Sequence, residues 1–208
     1  MKVPTPPLTG ILYVDTCYQI DFEEFDEPRR WNDIPRMREL PDMAFYNKEK
    51  ALTVAEAALQ EYTDYSFVYY WVAKLRGENG FPGEPIATCL EGLKKGRNKP
   101  MLCGAIAMFE FSRFDLGQAV KWWLRSAATQ FGCRLSTDSF SLLNLAYIAE
   151  GLDLPDCQKA LMSEAQRLQS VKFDPVGAEQ RYHLARTQGS APIKKAIQLL
   201  CDFYLNTA

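Results

Sequence analysis

The chain has 208 residues, 47% of them hydrophobic, which suffices for one sizeable core, and its 24 Lys and Arg nearly cancel 26 Asp and Glu to leave a formal charge of −2. With no broad basic field to neutralise phosphates, nucleic acid and anionic membrane are disfavoured as partners. A single histidine, His183, and six scattered cysteines without a CxxC spacing argue against zinc and leave the chain without metal or cofactor.

Six of the 12 prolines fall at or before Pro41. Proline blocks helix continuation and restricts the residue before it, so Met1 to about Asp42 is expected to be extended and turning, an N-terminal arm over residues 1–44. Pro4, Pro6 and Pro7 stand where a secretory leader would carry an apolar run, and no stretch approaches the about 18 apolar residues of a membrane span; a soluble, cytoplasmic protein is expected. Ile11 to Val14 reads as a short strand or an apolar clasp. Asp21 to Glu27 is acidic, and Arg29, Arg30, Arg36 and Arg38 answer it with basic charge. Phe22, Phe25 and Trp31 are unlike a disordered composition and are expected to pack the arm onto the rest.

From Asn47 the apolar spacing becomes helical. Ala51, Leu52, Ala55, Ala58 and Leu59 form one stripe, Tyr62 to Asp64 turns the chain, and Asp64 is positioned to cap a helix from Tyr65 to Leu75. On that helix Phe67, Val68, Trp71, Val72 and Leu75 share the core side, whereas Tyr70 and Lys74 point the other way. Arg76 to Pro85 is rich in Gly and Pro and predicts a loop of about eight residues; it lacks the lysine and Ser/Thr ending of a phosphate cradle. Pro85 opens a helix through Ile86, Cys89, Leu90 and Leu93, which Gly96 ends.

The stretch from Lys99 to Gly132 reads as two helices and a turn. Pro100 suits a first helical position, Asp115 with Gln118 three residues on is a capping-box start, and Gly132 is a stop signal. Leu116, Ala119, Val120, Trp123 and Ala127 make the apolar stripe of the second helix, so Trp123 is expected to be core. Trp122 lies about 100° round, beside Gln118, Arg125, Ser126 and Thr129, and is expected either to pack on a neighbour or to serve a partner. The first helix is apolar nearly all round and needs cover on several sides. Gly104, Ala107 and Ala119 allow close approach.

Further on, Ser136 to Asp138 offers caps for a helix from Phe140 to Ala149. Leu154 and Pro155 start a helix carrying Ala160, Leu161, Ala165 and Leu168. Asp174 and Pro175 begin one that reaches about Gln188, and Ser190 to Pro192 begin the last, with Ile193, Ile197, Leu200 and Phe203 on one face. About nine helices result. The cysteines read as small buried hydrophobes. His183, in an ordinary amphipathic turn, reads as structural or solvated. Glu110, a carboxylate in an apolar run, invites general-acid chemistry, though pairing with Arg113 is the commoner fate. The acidic Asp21 to Glu27 cluster lacks the ligand order and glycine of a calcium loop.

The order Ala107, Phe109, Phe111, Asp115, Ala119, Trp123, Ala127 resembles the tetratricopeptide repeat, whose period is about 34 residues. Ala119 to Ala128 is similar to its Sel-like variety, with Phe114 in place of the usual glycine before the inter-helix aspartate. The match spans about residues 100–132 and is degenerate elsewhere. It implies an all-α, right-handed α-α superhelix of tetratricopeptide-like helix pairs over residues 45–208, with the irregular proline-rich arm laid against it. It further implies a non-catalytic scaffold, an adaptor or assembly factor that binds a protein or peptide. On the repeat template Tyr70, Lys74, Met108, Phe111, Tyr147 and Arg181 line the partner groove, Met108 and Phe111 fitting core equally well. Two other classes compete: a structural subunit of a homo-oligomer or fixed complex, and a small helical enzyme using Glu110.

Overall fold

In the computed structural model, residues 34–81, 84–95, 99–133, 139–168 and 175–207 are described, and they form eleven helices and no strand, an all-α protein. Ile11 to Val14, the acidic Asp21 to Glu27 cluster, Phe22, Phe25, Trp31, the stop at Gly96 and the caps at Ser136 to Asp138 and Asp174 lie outside the described residues.

Helix begins earlier than the prolines suggested. α1 (Pro35–Arg38) and α2 (Leu40–Tyr46) fill part of the expected arm, each with a proline in its first turn, where the ring fits and the missing N–H is not needed. Ile34, Met37 and Leu40 are buried there. α3 (Lys48–Glu61) starts at Asn47, whose side chain accepts the Lys50 N–H at 3.0 Å. Its buried Ala51, Ala55 and Ala58 present a small-residue face to the core. α4 (Ser66–Glu78) has Tyr65 at its N-cap and no side-chain cap bond, so Asp64 does not cap it. Instead the Tyr69 hydroxyl, one turn in, donates to the Thr63 carbonyl at 2.8 Å and pins the turn.

The Gly/Pro loop is shorter than predicted, because α4 keeps Arg76 to Glu78 and α5 (Glu84–Lys95) starts one residue before Pro85. Arg76 explains the extension. Its guanidinium holds Glu56 at 2.8 Å and the Thr88 hydroxyl at 2.8 Å, joining α3, α4 and α5, bonds a loop would not supply.

α6 (Lys99–Ser112) is buried from Leu102 to Ala107 and takes its cover from α4, α5 and α7. α7 (Leu116–Cys133) begins where the Asp115 carboxylate accepts the Gln118 N–H at 2.9 Å, and its expected stripe is buried throughout. Gly132 is the last residue but one of α7. α8 (Ser139–Gly151) is buried at every position from Ser141 to Ala149, with α7, α9 (Pro155–Leu168), α10 (Pro175–Gln188) and α11 (Ala191–Thr207) packed around it. Cys89, Cys103, Cys157 and Cys201 are buried free thiols.

Three helix ends share one geometry. Gly80 (φ 81°), Phe114 (φ 61°) and Asp153 (φ 58°) are left-handed, at the first position past the C-caps of α4, α6 and α8. Each end carries the same two closing bonds: Gly80 N–H to Gly77 and Phe81 N–H to Arg76, Phe114 to Phe111 and Asp115 to Glu110, Asp153 to Glu150 and Leu154 to Ala149. This is the Schellman motif, which satisfies carbonyls the helix leaves over. The phenylalanine that replaces the expected glycine adopts the glycine's backbone conformation.

Two apolar clusters result, meeting at α4. Val68, Trp71, Val72 and Leu75 join α1, α2 and α3, while Tyr69 and Ala73 join the larger cluster over α5 to α11.

Candidate functional site

Met108, Phe111 and Arg181 come together although 73 residues separate the first from the last. α6 and α10 present them at the central helix α8. The buried Arg181 guanidinium donates to the Gly177 carbonyl at 2.7 Å and to the Asn144 side-chain oxygen, and it lies 3.7 Å from the Met108 sulfur. It sits over the Phe111 ring at 4.8 Å and 5.9 Å from that of Trp123, a cation held by ring faces as well as by carbonyls. Asn144 is fixed in turn by donating to the Phe140 carbonyl at 2.6 Å. Met108, 40% exposed, is the part of this cluster that meets solvent most. An arginine cannot release its proton at working pH, so the cluster fixes charge and shape; it does not move protons.

Tyr70 and Lys74 form a second cluster on α4. The rings of Phe67, Tyr70 and Trp71 contact one another with centroids 5.9 to 6.2 Å apart, and the Lys74 ammonium lies 4.6 Å above Trp71 while pairing with Glu78 at 3.9 Å. Both residues are half-buried, so ring edges and a cation are offered together at the surface. The Trp71 indole nitrogen is buried without an acceptor.

Three of the expected partner-binding residues lie in the packing: Arg181, Tyr147 and Trp122. Tyr147 is buried, edge-on to Tyr182 at 6.1 Å, whose hydroxyl donates to Glu150 at 2.7 Å. Trp122 is only 8% exposed: it belongs to the larger apolar cluster, with the equally buried Arg125 guanidinium over its ring at 4.4 Å. Ring and cation are buried together and leave a partner little to touch. Asn144 was not anticipated, yet a lone amide in the apolar run from Phe140 to Ala149 is a signal of a buried polar partner.

Glu110 is half-buried, and burial pushes its carboxyl above the usual range while Arg113, 3.6 Å away, draws it back. The ion pair with Arg113 is the one the sequence suggests. His183 is exposed on α10. Among the described residues no group of three or more His, Cys, Asp or Glu is placed to hold a metal, and no helix is long and apolar enough to cross a membrane.

Compared with protein-family models, with curated proteins and with solved structures, the chain matches none.

Proposed function

We propose that the chain is a tetratricopeptide-like scaffold in the cytoplasm, a superhelix of helix pairs that binds a protein or peptide segment and performs no chemistry of its own. The observation that carries this reading is the recurrence of one helix-ending turn at positions 80, 114 and 153, that is 34 and then 39 residues apart. Helix pairs of one design, repeated at such spacings, are the building units of stacked-helix proteins. α4 packs on α6 and α8 on α10, two of the second-neighbour contacts such a stack needs, while α8 meets the α6–α7 pair through α7. Tyr70 and Lys74 on α4 and Met108 on α6 then stand on the first helices of two pairs, where a groove would be lined. Aromatic and thioether side chains there supply contact area and the lysine orients an acidic or carbonyl-rich segment.

Affinity capture from host lysate with the full chain, repeated with Tyr70→Ala/Lys74→Ala and with Met108→Ala, tests it. A protein retained by the wild type and lost about tenfold or more with either variant supports the reading. Retention unchanged in both variants, both folded by circular dichroism, overturns the assignment of this face.

A second reading is favoured by Phe45 and Tyr46 at the end of α2, 81% and 83% exposed and stacked edge-on at 5.1 Å. Two such adjacent rings suit an assembly contact in a homo-oligomer or fixed complex. Sedimentation velocity of the isolated chain separates the two: a mass that rises with concentration and falls in Phe45→Ser/Tyr46→Ser belongs to the second.

A further inference from the structure

Five carboxylates and two phenylalanines fall within the seven residues from Asp21 to Glu27, a segment outside the described residues, and six residues separate it from Ile34. Ile34 is buried in the smaller apolar cluster, the one that Trp71 belongs to and that Phe67 and Tyr70 pack against. The chain thus enters the described fold at the cluster whose half-buried edge is the Phe67 and Tyr70 rings. Fully extended, the six intervening residues reach about 24 Å, more than the about 20 Å length of the 13-residue α4.

That edge is cationic. Lys48 and Lys74 share one carboxylate, Glu78, at 3.5 and 3.9 Å, two ammonium groups on a single negative charge. The Lys74 ammonium also lies 4.6 Å above the Trp71 ring. The buried Trp71 indole N–H has no acceptor among the described residues, a donor that an incoming carbonyl or carboxylate would satisfy.

We propose that Asp21 to Glu27 docks in cis on the α4 face of Phe67, Tyr70 and Lys74, its phenylalanines on the two rings and its carboxylates on the lysine. The short tether holds the segment at an effective concentration on the order of millimolar, so ring contacts and a half-exposed ion pair, each weak alone, suffice. A partner of that face must displace it. The inference rests on the partner-binding reading for the face and adds its regulation.

The test uses the full chain at low concentration and a carbodiimide, which joins a carboxylate to an amine only where the two already touch. Peptide mapping should find Lys74 joined to a carboxylate between Asp21 and Glu27 of the same chain, and the exposed Lys159 of α9 not so joined. Phe22→Ser/Phe25→Ser should lower that yield about tenfold and speed the labelling of Lys74 by acetic anhydride, with Lys159 unchanged. A wild-type map in which Lys74 links to Glu78 and not to the segment overturns the proposal. So do links formed equally from Lys159, or links that a mixture of heavy-isotope-labelled and unlabelled chains shows to run between chains. The wild-type map decides even where the variant fails to fold. A link to the segment with no captured protein would sink the partner reading alone, and a captured protein without the link would sink this proposal alone.

Discussion

In the α6–α7 pair the helices pack on one another across a Schellman turn, whereas α10 and α11, also joined by a tight connection, pack chiefly on other helices: α10 on α8 and α7, α11 on α9, α7 and α8. The first pair has a left-handed residue, Phe114; the second does not, for Gly189 at the end of α10 is not left-handed. Gln188 does something else. Its side-chain amide donates to the Phe114 carbonyl at 2.8 Å and accepts the Leu116 N–H at 3.1 Å, tying the end of α10 to the α6–α7 turn. Where two successive helices close on each other, the turn between them is built into the pair; where they do not, a side chain from elsewhere in the fold has to fix the helix end.

Breaking the α6–α7 side should cost most. Trp123, 1% exposed and 5.7 Å from the Phe111 ring, should lose about 3–5 kcal/mol of stability on truncation to Ala, measured by urea unfolding. Trp122→Ala belongs near the lower end of the same range, since its ring is buried but not as fully as that of Trp123. A loss under about 1 kcal/mol would return Trp122 to the list of candidate contact residues.

The next effect loosens α10. A Cβ on Gly151 would stand 2.8 Å from the Ala185 Cβ and 3.1 Å from Tyr182 backbone atoms, so Gly151→Ala must push α10 off α8. We expect a loss of about 1–3 kcal/mol, read by thermal and denaturant melts. Gln188→Ala removes both bridging bonds and should cost about 1–2 kcal/mol, with amide exchange rising at Leu116 as the N–H loses its partner. An unchanged exchange rate there would mean that the α6–α7 turn stands without the clamp.

The smallest and most discriminating pair compares two turns of one shape. Phe114→Gly should stabilise by up to about 1 kcal/mol, because a left-handed side chain is strained and glycine is not, while Gly80→Ala should cost about 1 kcal/mol. Opposite signs in equilibrium unfolding are the expected result. The same sign for both would show that the exposed Phe114 ring is held by more than its backbone.

Where local chemistry decides, the helices were legible: α9 begins at Pro155, α10 spans Pro175 to Gln188, and Asp115 caps α7 as its capping box predicts. Proline was over-weighted at Pro35 and Pro41, since it breaks a helix interior but suits a first turn. The boundary of α4 depended on Arg76 finding Glu56 and Thr88, partners 20 and 12 residues away that periodicity does not reveal. The repeat template names Met108, Phe111 and Arg181 as groove residues; the three meet around a guanidinium that is buried, an arrangement that depends on α8 and Asn144 and that the template does not reveal. The burial of Trp122, Tyr147 and Arg181 was not legible, because a helical wheel cannot say which helix will be surrounded, as α8 is.

The most direct test of a partner-binding face puts a photoreactive phenylalanine analogue at Met108 or at Tyr70 in the full chain, with Lys159, exposed on the far helix α9, as the control. The account predicts that irradiation in the native host joins a common protein to the chain through positions 108 and 70 and not through 159. Adducts formed equally from Lys159, or adducts whose mass is only that of a second copy of this chain, would contradict it.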